Sequence, residues 1–224
     1  MNDSDSNTEL LYMGLDLSGP SNPGDTALSW FAPEEAALSF AGQLTDTGDS
    51  GILDLLRDLY DRYEVLLGVD APLSYQDGGG RRDCDTDLSS RLTDEGLDFI
   101  GVMAPTYSKM GWLTLRGIGL ARSIELMPEA HRVRIVEVHP GATMGLQGAP
   151  KKALRRYKRG DMQAIHALQS WFAEEGMGGL PEFDSSSHVV DSCAAALAAW
   201  RWHTGDSAWL AEARPPERPY DFAC

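Results

Sequence analysis

The sequence predicts an α/β domain built on a mixed sheet, three antiparallel strands extended by two parallel ones, with helices on its faces. Three observations carry this. Extended apolar segments alternate with helical periodicity in the order β-β-β-α-β-α-β-α. Val65–Val69 is an almost unbroken apolar run, as in a strand covered on both faces. Four carboxylates (Asp16, Asp70, Glu137 and Asp191) stand in core-like strands or at the start of an Ala-rich run. An unpaired buried charge is costly and must find a cation, a partner or a proton.

Residues 1–8 read as a disordered tail, and 9–224 as one domain with insertions near 74–111 and 141–187. The first strand, about Leu11 to Leu17, runs into the turn-rich Ser-Gly-Pro-Ser-Asn-Pro-Gly. Thr26–Ala32 and Ala36–Leu44 are two further strands. Asp49 or Ser50 can cap a helix over Gly51–Tyr63, in which Ile52, Leu55, Leu56, Leu59 and Tyr63 recur at helical spacing. Val65–Val69 follows and Pro72 ends it. A glycine-rich loop leads to a polar helix at Asp83–Leu92, and Trp112–Leu126 is an amphipathic helix. Arg132–Val138 is a strand stopped by Pro140. Asp161 can cap a helix over Met162–Glu175, and Ser185–Ser187 a last helix over His188–His203, followed by an extended C-terminus.

This is the element order of the ribonuclease-H-like fold. Right-handed crossovers then set the ends of strands one, four and five side by side, where α/β sheets hold ligands. Asp16, Asp70 and Glu137 are expected to converge there. Within the first strand Tyr12, Gly14, Asp16 and Ser18 share a face, and Glu137 shares one with His139. Three alanines beside Asp191 allow the last helix to press on the sheet and bring that acid inward. Four clustered acids repel one another, and Mg²⁺ or Mn²⁺, which prefer oxygen ligands, would resolve this. Two such ions about 4 Å apart can activate water and stabilise a leaving phosphate oxygen. Simpler roles compete: Asp191 suits a helix start by dipole alone, Asp16 and Asp70 can cap loops, and His139 can serve a turn.

The chain carries a formal charge of −15 over 224 residues, which repels nucleic acid and anionic membranes in general. Lys151 to Arg159 departs from this, with six positive charges in nine residues and no acid. Lys151, Lys152, Arg155 and Arg156 are therefore candidate contacts to an anion. Three cysteines form no C-x-x-C pair, which fits a reducing compartment and argues against zinc. With no signal region and no apolar run near the roughly 20 residues of a membrane span, a cytoplasmic location without membrane contact is expected.

The segments Gly14-Leu-Asp16-Leu-Ser-Gly19, Gly68-Val-Asp70-Ala-Pro72-Leu, Arg82-Asp-Cys-Asp85 with Arg91, Arg116-Gly117, Glu137-Val-His139-Pro140 and Asp191 before the Ala-rich helix together resemble the domain of unknown function 429 family. That family is described as predicted nucleases of ribonuclease-H fold. The resemblance implies Asp16, Asp70, Glu137 and Asp191 as the catalytic and metal-binding set, with Arg82 and Arg91 as site residues. The expected activity is metal-dependent hydrolysis of DNA or RNA. Two other readings stay open. An actin- or sugar-kinase-like phosphotransferase could cradle a phosphate on Gly14–Gly19 near Ser18, although the chain lacks a second Asp-x-Gly-Gly segment. A non-catalytic module could use the basic segment alone.

Overall fold

Tyr12, Gly14 and Asp16 alternate with Met13, Leu15 and Leu17 along the first strand, and the two sets meet different helical layers. The computed structural model describes residues 9–183 and 186–224; the expected tail over residues 1–8 and the cap at Ser185 lie outside them. The elements in order are β1 (Glu9–Asp16), β2 (Ala27–Glu34), β3 (Ala37–Thr45), α1 (Asp49–Tyr60), β4 (Tyr63–Asp70), α2 (Asp83–Asp94), α3 (Met110–Glu125), β5 (Val133–Val138), α4 (Pro140–Leu146), α5 (Lys151–Leu154), α6 (Met162–Glu174), β6 (Met177–Gly178), α7 (Ser187–Thr204), β7 (Leu210–Ala211) and β8 (Phe222–Ala223).

The sheet is mixed α/β with eight strands in the order β6-β3-β2-β1-β4-β5-β8-β7. β1–β2 and β2–β3 pair antiparallel, while β1–β4 and β4–β5 pair parallel. Five strands were expected. The other three are two-residue strands at the sheet's flanks, too short to leave an alternating pattern.

One face of the sheet packs on α1 and α3 through Leu15, Val65, Leu67, Val69, Val133 and Ile135. The opposite face carries α7. Gly14 and Gly68 are register partners on β1 and β4, and α7 lies on top of both. A Cβ on Gly14 would overlap the Ser192 carbonyl and one on Gly68 the Ala195 carbonyl, so both glycines are required by close approach. Ala194, Ala195, Ala196, Ala198 and Ala199 complete that contact, all fully buried. The helix start is thereby pinned to the C-terminal ends of β1 and β4.

Two local expectations are corrected. Neither Asp49 nor Ser50 caps α1: Gly48 holds the N-cap without a side-chain bond, and Asp49 instead pairs with Arg116 Nε at 2.7 Å. Pro140 ends a strand but also opens α4, with His139 as its cap. Asp161 does cap α6, accepting from the Gln163 and Ala164 amides, and Ser186 caps α7. No helix among the described residues is long and apolar enough to cross a membrane.

Candidate active site

Parallel register makes Asp16 and Asp70 direct neighbours at the ends of β1 and β4. Both continue the glycine face of their strands, so both look toward α7, where Asp191 is buried on the fifth residue of the helix. The three carboxyls interact with one another across this small space. Asp191 is held on both oxygens by consecutive residues of the basic segment. Tyr157 Oη donates to Oδ1 at 2.8 Å, and Lys158 Nζ lies 3.1 Å from Oδ2. His188, one turn before Asp191, places Nδ1 2.7 Å from Asp16 Oδ2.

Burial pushes the Asp16 carboxyl up to about 6, against the hydrogen bond from His188 and with help from the Asp191 charge. Burial also pushes Asp70 well above the usual carboxylate range, reinforced by the Asp16 charge and opposed by Lys158. The Asp191 charge holds the Lys158 ammonium charged beyond its usual range. The hydrogen bond to Asp16 likewise raises His188. The cluster is therefore three acids facing one ammonium and one imidazole.

These shifts have a sign. An acid whose folded pKa exceeds its unfolded value makes the fold lose stability as pH rises between the two. For Asp16 that window runs from 3.8 to about 6. A histidine raised in the fold also loses its contribution as pH rises, so His188 acts in the same direction above that window. Asp16→Asn is expected to flatten the fall in urea-unfolding free energy across pH 4 to 6, a change of roughly 3 kcal/mol at the upper end. An unchanged profile would mean that the Asp16 proton is not held by the fold.

Glu137 lies on the opposite face from Asp16 and Asp191, contrary to the expected three-way convergence, although it lines one small cavity together with Asp70. Its register partner on β4 is Val69, so it continues the Val133–Ile135 face, opposite to Asp16 and Asp70. There it meets Arg82: Nη1 donates to Oε2 at 2.9 Å, Nη2 to Oε1 at 2.5 Å, and the Leu73 amide donates to Oε2 at 2.9 Å. Arg82 also donates to Asp85 through Nη2 at 2.7 Å and to Ser74 Oγ through Nη1 at 3.0 Å. Burial raises the Glu137 carboxyl and the Arg82 guanidinium works against this. The Arg82–Asp85–Glu137 group is a satisfied buried network, and Arg82 has no charge left over for a substrate.

The remaining expected contacts divide. Arg91 pairs with Glu95 one turn along α2, half exposed, and takes no part in the cluster. Ser18 is tied to Thr26 Oγ1 at 2.8 Å and to Arg116 Nη1 at 3.0 Å, which fixes the turn after β1. His139 Nδ1 accepts from the Ala142 amide, so Nε2 carries the hydrogen donated to the Gly101 carbonyl at 3.2 Å. Burial lowers its pKa, in keeping with that neutral form. Lys151 caps α2 through the Glu95 carbonyl at 2.7 Å, Arg156 pairs with Asp161 at 2.7 Å, and Arg155 lies 3.7 Å over the Phe99 ring.

Lys152, Arg155, Lys158, Arg159, Phe99 and His139 nevertheless line one cleft of about 650 Å³. It shares His139 and Gly101 with a small cavity of about 80 Å³ that Asp70 lines. Another cleft, of about 710 Å³ beside Arg82 and Arg214, is lined by none of the four acids. Sequence reasoning missed Tyr157, Lys158 and His188. Lys158 stood inside the basic run, but nothing in its spacing singled it out from its neighbours.

Among the described residues, no three His, Cys, Asp or Glu side chains are already grouped as a metal-binding set. A family model described as "Protein of unknown function (DUF429)" matches residues 14–217, so the chain belongs to that family. Neither the curated proteins nor the solved structures contain a match.

Proposed function

We propose that this member of the DUF429 family is a metal-dependent phosphodiesterase acting on DNA or RNA. One observation carries the reading: three crowded carboxylates, two at strand ends and one near the start of α7, next to a cleft lined by basic side chains in a chain of charge −15. The core strand order β3-β2-β1-β4-β5, with α7 laid across β1 and β4, supports a ribonuclease-H-like topology. Three free, buried cysteines suit a reducing cytoplasm.

A divalent cation suits the donors in kind, since three carboxylates offer hard oxygens, and burial with neighbouring charge makes the ionised forms of Asp16 and Asp70 costly without a cation. Asp16, Asp70 and Asp191 would hold Mg²⁺ or Mn²⁺; Glu137, committed to Arg82, would not. When bound, such an ion activates water and stabilises charge on phosphodiester oxygens. The chain's own residues prepare the rest. Lys152, Arg155 and Arg159 draw a phosphate backbone into the cleft, and the neutral His139 adds no charge beside it. His188 orients Asp16 through its Nδ1 contact.

The test is a calorimetric Mg²⁺ and Mn²⁺ titration joined to cleavage of labelled single- and double-stranded DNA and RNA. Cleavage with metal and none with chelator is the expected result. Absence of cleavage across the panel, with metal shown to bind, would overturn the reading.

A non-catalytic binding module is the second reading, favoured because Lys158 already supplies the acids with a counter-charge. Lys158→Ala separates the two. If Lys158 stands where a metal would act, its removal should tighten Mg²⁺ binding about fivefold, the value of about 1 kcal/mol for an ion pair whose ammonium is largely exposed. A module with no use for metal would show no Mg²⁺ binding in either protein.

A further inference from the structure

Most of the chain's exposed large apolar side chains are gathered in one place. Five of the seven such side chains among the described residues, Tyr75, Met103, Tyr107, Trp112 and Leu115, are 47% to 65% exposed and surround the start of α3. An apolar patch of this kind on a soluble surface marks a contact. Tyr75, Pro105, Trp112 and Leu115 line a groove of about 470 Å³ within it. The loop carrying Tyr75 is fixed against this region, because the Gly80 amide donates to Thr106 Oγ1 at 2.7 Å.

Charge narrows what can lie there. Residues 99 to 124 contain no Asp or Glu, although the chain holds 34 acids, and Lys109, one of only four lysines, stands exposed between Tyr107 and Trp112. The groove is also continuous with the proposed site. The segment 99–115 runs along the basic cleft with Phe99 and Gly101, then along the cavity of Asp70 with Val102 and Met103, and then along the groove with Pro105 and Trp112. A polyanion leaving the basic cleft past the acids next meets aromatic faces in a groove whose lining carries no acid.

We propose that this groove is a nucleobase platform, on which Trp112 and Tyr75 stack unpaired bases of a single-stranded substrate. The inference rests on the nucleic-acid reading above and adds the strand class. Aromatic faces recognise unpaired bases of any sequence, while paired bases keep their faces stacked inside the duplex. The basic cleft then holds the backbone on one side of the acids and the platform holds bases on the other.

The test compares two fluorescently labelled 12-mers by anisotropy in chelator, so that nothing is cut: oligo-dT and an abasic chain with the same phosphates. Wild type should bind oligo-dT about tenfold more tightly, the difference that one stacked base supplies. Replacing both Trp112 and Tyr75 by Ala should erase that preference while the abasic affinity stays the same, and Trp112→Phe alone should keep most of it. Equal affinity of wild type for both chains would overturn the platform and leave the nucleic-acid reading standing. Binding of neither chain would remove that reading as well. If the double replacement changes the sedimentation of the protein and not its oligonucleotide affinity, the groove is an interface between copies, and the proposal is wrong.

Discussion

Asp70→Asn is expected to reduce metal-dependent cleavage by on the order of 10³-fold, about 4 kcal/mol of transition-state stabilisation. Asp70 is the half-buried acid that faces both Asp16 and the cavity shared with His139. Its replacement removes one oxygen donor and the charge that a divalent ion would neutralise. The same change relieves repulsion in the metal-free protein, because burial and the Asp16 charge make the ionised Asp70 costly there. The metal-free variant should therefore unfold at the same or a higher temperature than wild type, yet gain nothing from millimolar Mg²⁺, whereas wild type gains by mass action. Single-turnover cleavage and melting with and without metal decide the matter. A variant that keeps activity within about tenfold would remove Asp70 from the mechanism.

The acids that mattered here were legible where a short argument from strand ends suffices. Asp16 and Asp70 each close an apolar run, and the glycine two residues before each lets α7 approach. Alternation states which residues of one strand share a face, but not which face a neighbouring strand presents. Register decides that. Glu137 pairs with Val69 rather than Asp70, and this one-residue offset sends it to the Arg82 side. Tyr157 and Lys158 belong to a single turn ended by Gly160 in the left-handed region, at φ 71°, and such turns carry no period to read. His188 was legible only as the start of a helix. Its contact with Asp16 spans 172 residues and depends on how deeply α7 settles on Gly14 and Gly68.

The opposite face supplies the largest expected effect on stability. Arg82 is buried, and its guanidinium carries the only counter-charge paired with Glu137 and Asp85 among the described residues. Arg82→Met would keep the volume and leave two buried carboxylates facing each other. Breaking such a group from one side costs about 3–5 kcal/mol, against a total of about 5–15 for a typical domain. The melting temperature should fall by roughly 10 °C for a chain of this size. The deficit should depend on pH. Glu137 already has a raised pKa against the pull of Arg82, and without that pull it would retain its proton further upward. The variant's shortfall should therefore grow from pH 4 to 7 and shrink on acidification, as Glu137 takes up its proton. Arg82→Lys should recover little, since one ammonium cannot reproduce a fork bound to Glu137, Asp85 and Ser74 together. Converting the whole group, Arg82→Met with Asp85→Leu and Glu137→Leu, should restore much of the loss, because no charge is then left unpaired. Urea unfolding of the three variants at pH 4, 5.5 and 7 measures all of this, and a shortfall below about 1 kcal/mol for Arg82→Met at pH 7 would show that water reaches the network. Glu137→Gln closes the comparison with the acid cluster. Unlike Asp70→Asn, it should keep the Mg²⁺-dependent rise in melting temperature, because Glu137 stands on the far side of the sheet from Asp16 and Asp191.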